Sequence, residues 1–343
     1  MCRFKLFSLL VAFIPLTTTG QIGGQNVFEY LNIPNNTRLA GLGGVGVAIM
    51  DWDVNAIFSN PASLNPEMDK HLSFNYLTYY ANISLNSLAY AHEIEEIGMF
   101  SMGLSKIGYG KIDSYDPSGN PLGDFDTGEW MIQTGYARAI NNFSMGSNIR
   151  LAISNIAGYR ATALLLDIGG VFKHPEEDLR FGLVFKNVGF MISDYLDVSN
   201  SSLPFDVQTG MSYKPKYMPV RFHLTAYQLG TGDITYHNPD DPGDLDVPGT
   251  FDKVMSHIGL GGEFLISRNV NLRFGYNHLI RQELRLENTS GGAGFSGGFM
   301  FRIKAFEFSY TRSWYHVSGG INQFGLTSDF SSLFRKKTTD IKS

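Results

Sequence analysis

A 343-residue chain with a formal net charge of −5 and only 17% charged residues has no basic stripe with which to neutralise nucleic-acid phosphates, so nucleic acid is excluded as a partner. Its 26 Phe, 17 Tyr and 38 Gly, at a mean hydropathy of −0.08, give more aromatic and less charged surface than a soluble core with a wet exterior needs. A membrane barrel, with aromatic rings at both interfaces and polar groups inside, fits that balance.

The chain opens on a basic start (Arg3, Lys5), an apolar run from Leu6 to Leu16, and small or hydroxylated residues up to Gly20. This pattern predicts a secretory signal peptide over residues 1–20, cleaved before Gln21. The only cysteine, Cys2, falls inside it, so the mature chain carries no thiol, disulfide or lipid anchor at the cleavage point. No later stretch reaches the ~18 consecutive apolar residues of a membrane helix.

Residues 21–71 do not alternate. They hold Arg38-Leu39-Ala40-Gly41-Leu42-Gly43-Gly44-Val45-Gly46 and Asn55-Ala56-Ile57-Phe58-Ser59-Asn60-Pro61-Ala62-Ser63-Leu64. Small residues permit close backbone approach, and a wide barrel encloses more space than its wall side chains fill. A plug inside the lumen is the expected role of this segment.

From Leu72 the period becomes two. Leu179, Phe181, Leu183 and Phe185 alternate with Arg180, Gly182 and Val184; Val220, Phe222, Leu224 and Ala226 alternate with Arg221, His223 and Thr225. Val270, Leu272, Phe274 and Tyr276 likewise alternate with Asn271, Arg273, Gly275 and Asn277. An arginine facing lipid costs about 2–4 kcal/mol at the midplane, so the arginines must face a lumen. Fourteen such runs are expected, at 72–80, 84–93, 98–112, 128–140, 143–155, 161–174, 179–188, 205–214, 219–230, 253–267, 270–286, 292–303, 305–316 and 321–332. Their connections sort by length: short after even-numbered runs, with long polar stretches at Asp113–Thr127, Asn187–Pro204 and Thr231–Asp252 after odd ones. Outer-membrane barrels have short periplasmic turns and longer outer loops. The expected fold is all-β: a transmembrane antiparallel up-and-down barrel over residues 72–332, an N-terminal plug over 21–71, a basic tail over 333–343, and both termini periplasmic.

The Ala-Gly-Leu-Gly-Gly element near residue 40, followed by Asn60-Pro61-Ala62-Ser63-Leu64, resembles the plug of the FadL-like fatty-acid transporter superfamily of barrels. Gln25-Asn26-Val27-Phe28-Glu29-Tyr30-Leu31-Asn32-Ile33-Pro34 and Asn65-Pro66-Glu67-Met68 resemble the PorQ family of the type IX secretion system of Bacteroidetes. That resemblance implies a non-enzymatic scaffold in the outer membrane. Its implied partners are a PorV barrel, a sortase-like PorU and a PorZ-like surface protein. It implies no catalytic residue and no cofactor, and it carries over Gly43, Gly44, Asn60, Pro61 and Ala62 as plug-forming positions. The alternative is a FadL-like transporter of hydrophobic small molecules. The last strand departs from the usual insertion signal: Gln323, Gly325 and Phe330 fit, Ser328 does not, and Arg335, Lys336 and Lys337 follow.

Other motifs have ordinary explanations. The glycine fingerprints Gly41-x-Gly43-x-x-Gly46 and Gly292-x-Gly294-x-x-Gly297 lack the strand, helix and distal acid of a dinucleotide site. The acidic stretch Asp240-Asp241-Pro242-Gly243-Asp244-Leu245-Asp246 offers calcium oxygens, or a bridge to lipopolysaccharide, without EF-hand spacing; a solvated outer loop is the simpler reading. Ser256-His257, and Ser313 with His316, supply no third orienting group for nucleophilic chemistry. Trp130 and Trp314 read as interface girdle.

Overall fold

The structure is a computed structural model and describes residues 26–196, 201–235, 248–284, 291–316 and 319–333. The leader, the acidic stretch 240–246 and the tail from residue 334 lie outside the described residues.

Fourteen antiparallel strands close on themselves: β1 His71–Thr78, β2 Ser84–Ile94, β3 Gly98–Tyr115, β4 Pro121–Ile140, β5 Phe143–Ile156, β6 Tyr159–Lys173, β7 Asp178–Ser193, β8 Asp206–Lys214, β9 Val220–Ala226, β10 Ile258–Ser267, β11 Val270–Asn277, β12 Phe295–Ile303, β13 Phe306–His316 and β14 Gly319–Asp329. Each pairs with its chain neighbours, and β1 closes the ring against β14 in register from His71↔Asp329 to Thr78↔Asn322. The expected up-and-down barrel is what forms. A closed ring leaves no unpaired edge for lipid to meet, the condition for crossing a bilayer with strands.

The alternation read from sequence is the alternation of faces. Phe181, Leu183, Phe185, Phe222, Leu224 and Phe274 are exposed on the outside, whereas Arg180, Arg221, His223, Asn271 and Arg273 are buried within. Trp130 and Trp314 also lie on the outer face. Six connections at one end are short, between 94 and 98, 140 and 143, 173 and 178, 214 and 220, 267 and 270, and 303 and 306.

Several expected boundaries move, each for a local reason. The stretch Asp113–Thr127 is not a polar loop: β3 and β4 continue as a two-stranded ribbon to a tight turn where Asp116 accepts from the backbone N–H groups of Ser118 and Asn120. The run expected from 253 begins as helix α2 Thr250–Ser256, and the run expected to 286 ends at Asn277. There the Asn277 side chain accepts from Ile280 N–H and starts helix α3 His278–Leu284. Phe330 is no strand-terminal aromatic, because Asp329 accepts from Ser332 N–H and residues Phe330–Leu333 turn into a short helix. Gly292 and Gly294 precede β12 in a turn, and only Gly297 lies in the strand.

The wall is uneven. Strands β3 to β7 run 14 to 20 residues, whereas β8 to β11 run 7 to 10. Helices α2 and α3 stand at the low rim, tied by Asp252 Oδ1 to His278 Nε2 at 3.0 Å and to Gln282 at 2.7 Å. The ends of the strand ring, His71 and Asp329, lie together at the short-turn end. The described chain nevertheless begins at the other end, where Val27 N–H bonds Ser202 O in the β7–β8 connection.

Candidate functional site: the lumen segment and its side cavity

Residues 26–68 form one short helix, α1 Thr37–Gly41, and four 3-10 turns; the helix and the last three turns are built by local capping. Asn36 accepts from Leu39 N–H, Asp53 from Asn55 N–H, Asn60 from Ala62 N–H and Asn65 from Glu67 N–H. Pro61 and Pro66 occupy first-turn positions, where the missing N–H costs nothing. The Asn-Pro-Ala element is thus a capped turn. Asn60 also ties two layers, since its Nδ2 donates to Val47 O at 2.9 Å while its Oδ1 makes the cap.

This segment crosses the lumen on glycines of the wall. A Cβ on Gly275 of β11 would come within 2.1 Å of Gly43 N, and one on Gly261 of β10 within 2.8 Å of Leu42 Cβ. Across the ring, Gly182 of β7 faces Val47 O, Gly169 of β6 faces the Asn60 side chain, and Gly146 of β5 faces the Pro61 backbone at 2.6 Å. Gly43 and Gly44 have φ of +87° and +89°, and Gly44 N–H closes on Leu39 O to end the helix. Of the residues singled out from sequence, Gly43 lies against β10 and β11, whereas Asn60, Pro61 and Ala62 lie against β5 and β6. They mark opposite walls of one lumen.

Charge fixes the segment between them. The Arg38 guanidinium donates to both Asp51 oxygens at 2.7 and 2.8 Å and to both Glu263 oxygens of β10 at 2.8 and 2.7 Å. His223 and Arg273 also reach Glu263, at 3.0 and 3.3 Å, and Arg221 bridges Asp51 to Asp178 at 3.3 and 3.0 Å. Burial by itself would push the Asp51 carboxyl up, but Arg38 outweighs burial and holds it well below the usual carboxylate range. A carboxylate held low contributes stability present above its unfolded value and lost as pH falls through the folded one. Amide exchange in residues 36–64 should therefore stay slow through the ordinary carboxylate range and quicken only in stronger acid. Quickening near pH 4 would contradict this.

Of the serine and histidine candidates, the His316 side chain lies outside the described residues. Ser256 Oγ finds no hydrogen-bond partner among the described residues, His257 Nδ1 is bonded to Tyr227 O, and Ser313 Oγ donates to Ala40 O at 3.5 Å. The Gly41–Gly46 stretch follows a helix instead of opening one.

Sequence reading did not find the cavity beside the lumen segment. A cavity of about 250 Å³ lies between the segment and the low wall, lined by Leu31, Ile33, Leu39 and Val45 on one side and by Lys186, Asp206, Tyr227, Ile280 and Tyr315 on the other. Asp206 and Tyr315 sit at the long-connection ends of β8 and β13, Tyr227 follows β9 at that end and Ile280 lies in α3 beyond β11, so the cavity belongs to that end. Beside it the β7–β8 pairing stops at Lys186↔Asp206, and β7 continues upward bonded to β6 alone, after a bulge at Asn187 (φ +57°). A lysine within a strand carries no sequence signal of lacking a partner.

The fold is shared with solved structures. The TodX monoaromatic hydrocarbon channel, as a deltaS2 mutant, matches at 11% identity and a TM-score of 0.53, covering 86% of this chain and 98% of that one. Its deltaS2S3 mutant matches at 11% identity and a TM-score of 0.50 over 86% and 99%. A Pseudomonas aeruginosa FadL homologue aligns at 12% identity with a TM-score of 0.47 over 86% and 98%. The chain is therefore an outer-membrane-type barrel of the fold seen in the TodX channels. No protein-family model matches the sequence, and no curated protein sequence does.

Proposed function

We propose that the barrel admits small apolar or amphipathic molecules from its long-connection end into a side pocket, and is not an open pore. The observation that carries this reading is the mixed apolar and polar cavity between the lumen segment and the low wall, beside the place where β7 parts from β8. Pockets of this kind, mostly apolar with a few polar groups, are the usual form of small-molecule sites. The likeness in fold to hydrocarbon channels supports it. The long connections then face outward and the short turns face the periplasm, as in barrels of this class. In detergent, the purified protein should bind 4-fluorotoluene saturably by ¹⁹F NMR, and Ile280→Trp, which fills the cavity, should abolish the effect. Absence of saturable binding to the unaltered protein would remove the reading.

A second reading, a scaffold of the type IX secretion system beside PorV-, PorU- and PorZ-like partners, is favoured by one structural feature besides the resemblance of residues 25–68. The β3–β4 ribbon rises past the last rung it shares with β2, at Gly108, and past the last it shares with β5, at Gly128, exposing Ile112, Tyr115 and Leu122. Replacing residues 113–124 by an Asn-Gly turn should release the surface partner into the medium while the barrel still inserts. Full retention of the partner would argue against the ribbon as its seat.

A further inference from the structure

Resting on the pocket reading above, we infer that the cavity is built for a compact organic anion, with Lys186 as the residue that holds its charged end. Lys186 sits on the last rung of β7 paired with β8 and lines the cavity. Among the described residues its ammonium makes no hydrogen bond and no ion pair, although two carboxylates are close in the fold. Both are already engaged. Asp206, its register partner, accepts from the Gln228 N–H with one oxygen and from the Gln208 side chain with the other. Asp167 accepts from Asn187 N–H at 2.8 Å and pairs with Arg150 Nε at 2.8 Å.

Elsewhere in this lumen, cations meet carboxylates directly: Arg38 with Asp51 and Glu263, Arg221 with Asp51 and Asp178, Arg150 with Asp167. A cation in a low-dielectric space favours an anionic partner, and Lys186 faces the cavity with no carboxylate in direct contact, Asp206 and Asp167 acting on it only through space. On the opposite side Leu31, Ile33, Leu39 and Val45 offer apolar surface to the ligand's body, with Asn32, Asn35 and Ser59 of the same segment among them. Size restricts the class further. At about 250 Å³ the space falls just below the roughly 300–1,000 Å³ usual for drug-sized ligands, which favours a single ring or a short chain bearing one carboxylate or similar anion.

The test uses the full-length mature protein in detergent with three probes: 4-fluorobenzoate, the neutral 4-fluorotoluene, and biphenyl-4-carboxylate as an enlarged competitor. The expected result is that 4-fluorobenzoate binds at least about tenfold more tightly than 4-fluorotoluene, as a charge-assisted contact allows. Lys186→Met should erase that preference, so that the two fluorinated probes bind within about twofold of each other, Lys186→Arg should keep it, and biphenyl-4-carboxylate should compete weakly. If 4-fluorotoluene binds as tightly as 4-fluorobenzoate, or if Lys186→Met keeps the preference, the anion assignment falls while the pocket stands. Tight competition by the biphenyl acid overturns the size limit. If neither fluorinated probe binds, the pocket reading falls too.

Discussion

Replacing Arg38 by methionine should loosen residues 26–68 from the lumen while the fourteen-strand ring survives. The substitution keeps much of the apolar stem and removes four hydrogen bonds at once, two to Asp51 and two to Glu263. Glu263 is fully buried and Asp51 nearly so, so both carboxylates would lose their main counter-charge where water cannot replace it. Removing one partner from a buried pair costs about 3–5 kcal/mol, and here two carboxylates share the lost partner. His223, Arg221 and Arg273 remain to compensate in part. The ring does not depend on this contact, because its backbone pairing is complete around the barrel. Protease cleavage confined to the N-terminal segment, with unchanged heat-modifiable migration of the barrel, is the expected result. A segment as resistant as in the unaltered protein would show that glycine packing alone seats it.

The second large effect is steric. Gly275→Ala puts a methyl group within 2.1 Å of Gly43 N and 2.6 Å of Leu42 C, and backbone atoms cannot rotate away as a side-chain tip can. Overpacking a filled interior costs about 1–3 kcal/mol, and more where main chain must move. The segment should lift from β10 and β11 and open a path along that wall. Planar-bilayer recordings should then show ionic conductance that the unaltered barrel lacks. Gly262→Ala on the neighbouring strand is the control, since a Cβ there meets nothing within 4 Å. Equal behaviour of the two variants would mean that the segment does not seal this side.

Much of the fold was legible because a strand with lipid on one side and a lumen on the other must alternate. Phe181 against Arg180 and Phe274 against Arg273 are enough to assign faces. Reading failed where side-chain caps override periodicity. Asn277 ends β11 by capping α3, and Asp116 folds an apparent loop into a ribbon turn, neither of which changes the apolar count. The glycine-rich and Asn-Pro-Ala stretches were recognisable, yet their reason was not: the complementary signal is the set of single glycines on β5, β6, β7, β10 and β11 that leave them room.

The sequence by itself determined the class of barrel, the number of strands and the face of each residue, because these follow from a period of two imposed by two solvents along one chain. Tertiary structure alone decided what fills the ring. Arg38 and Glu263 are 225 positions apart, Gly43 and Gly275 more than that, and only closure of the strands brings them into contact. That Lys186 makes no direct ion pair with Asp206 or Asp167 was decided in the same way, by the closed ring that turns their oxygens toward Gln208, Gln228, Asn187 and Arg150.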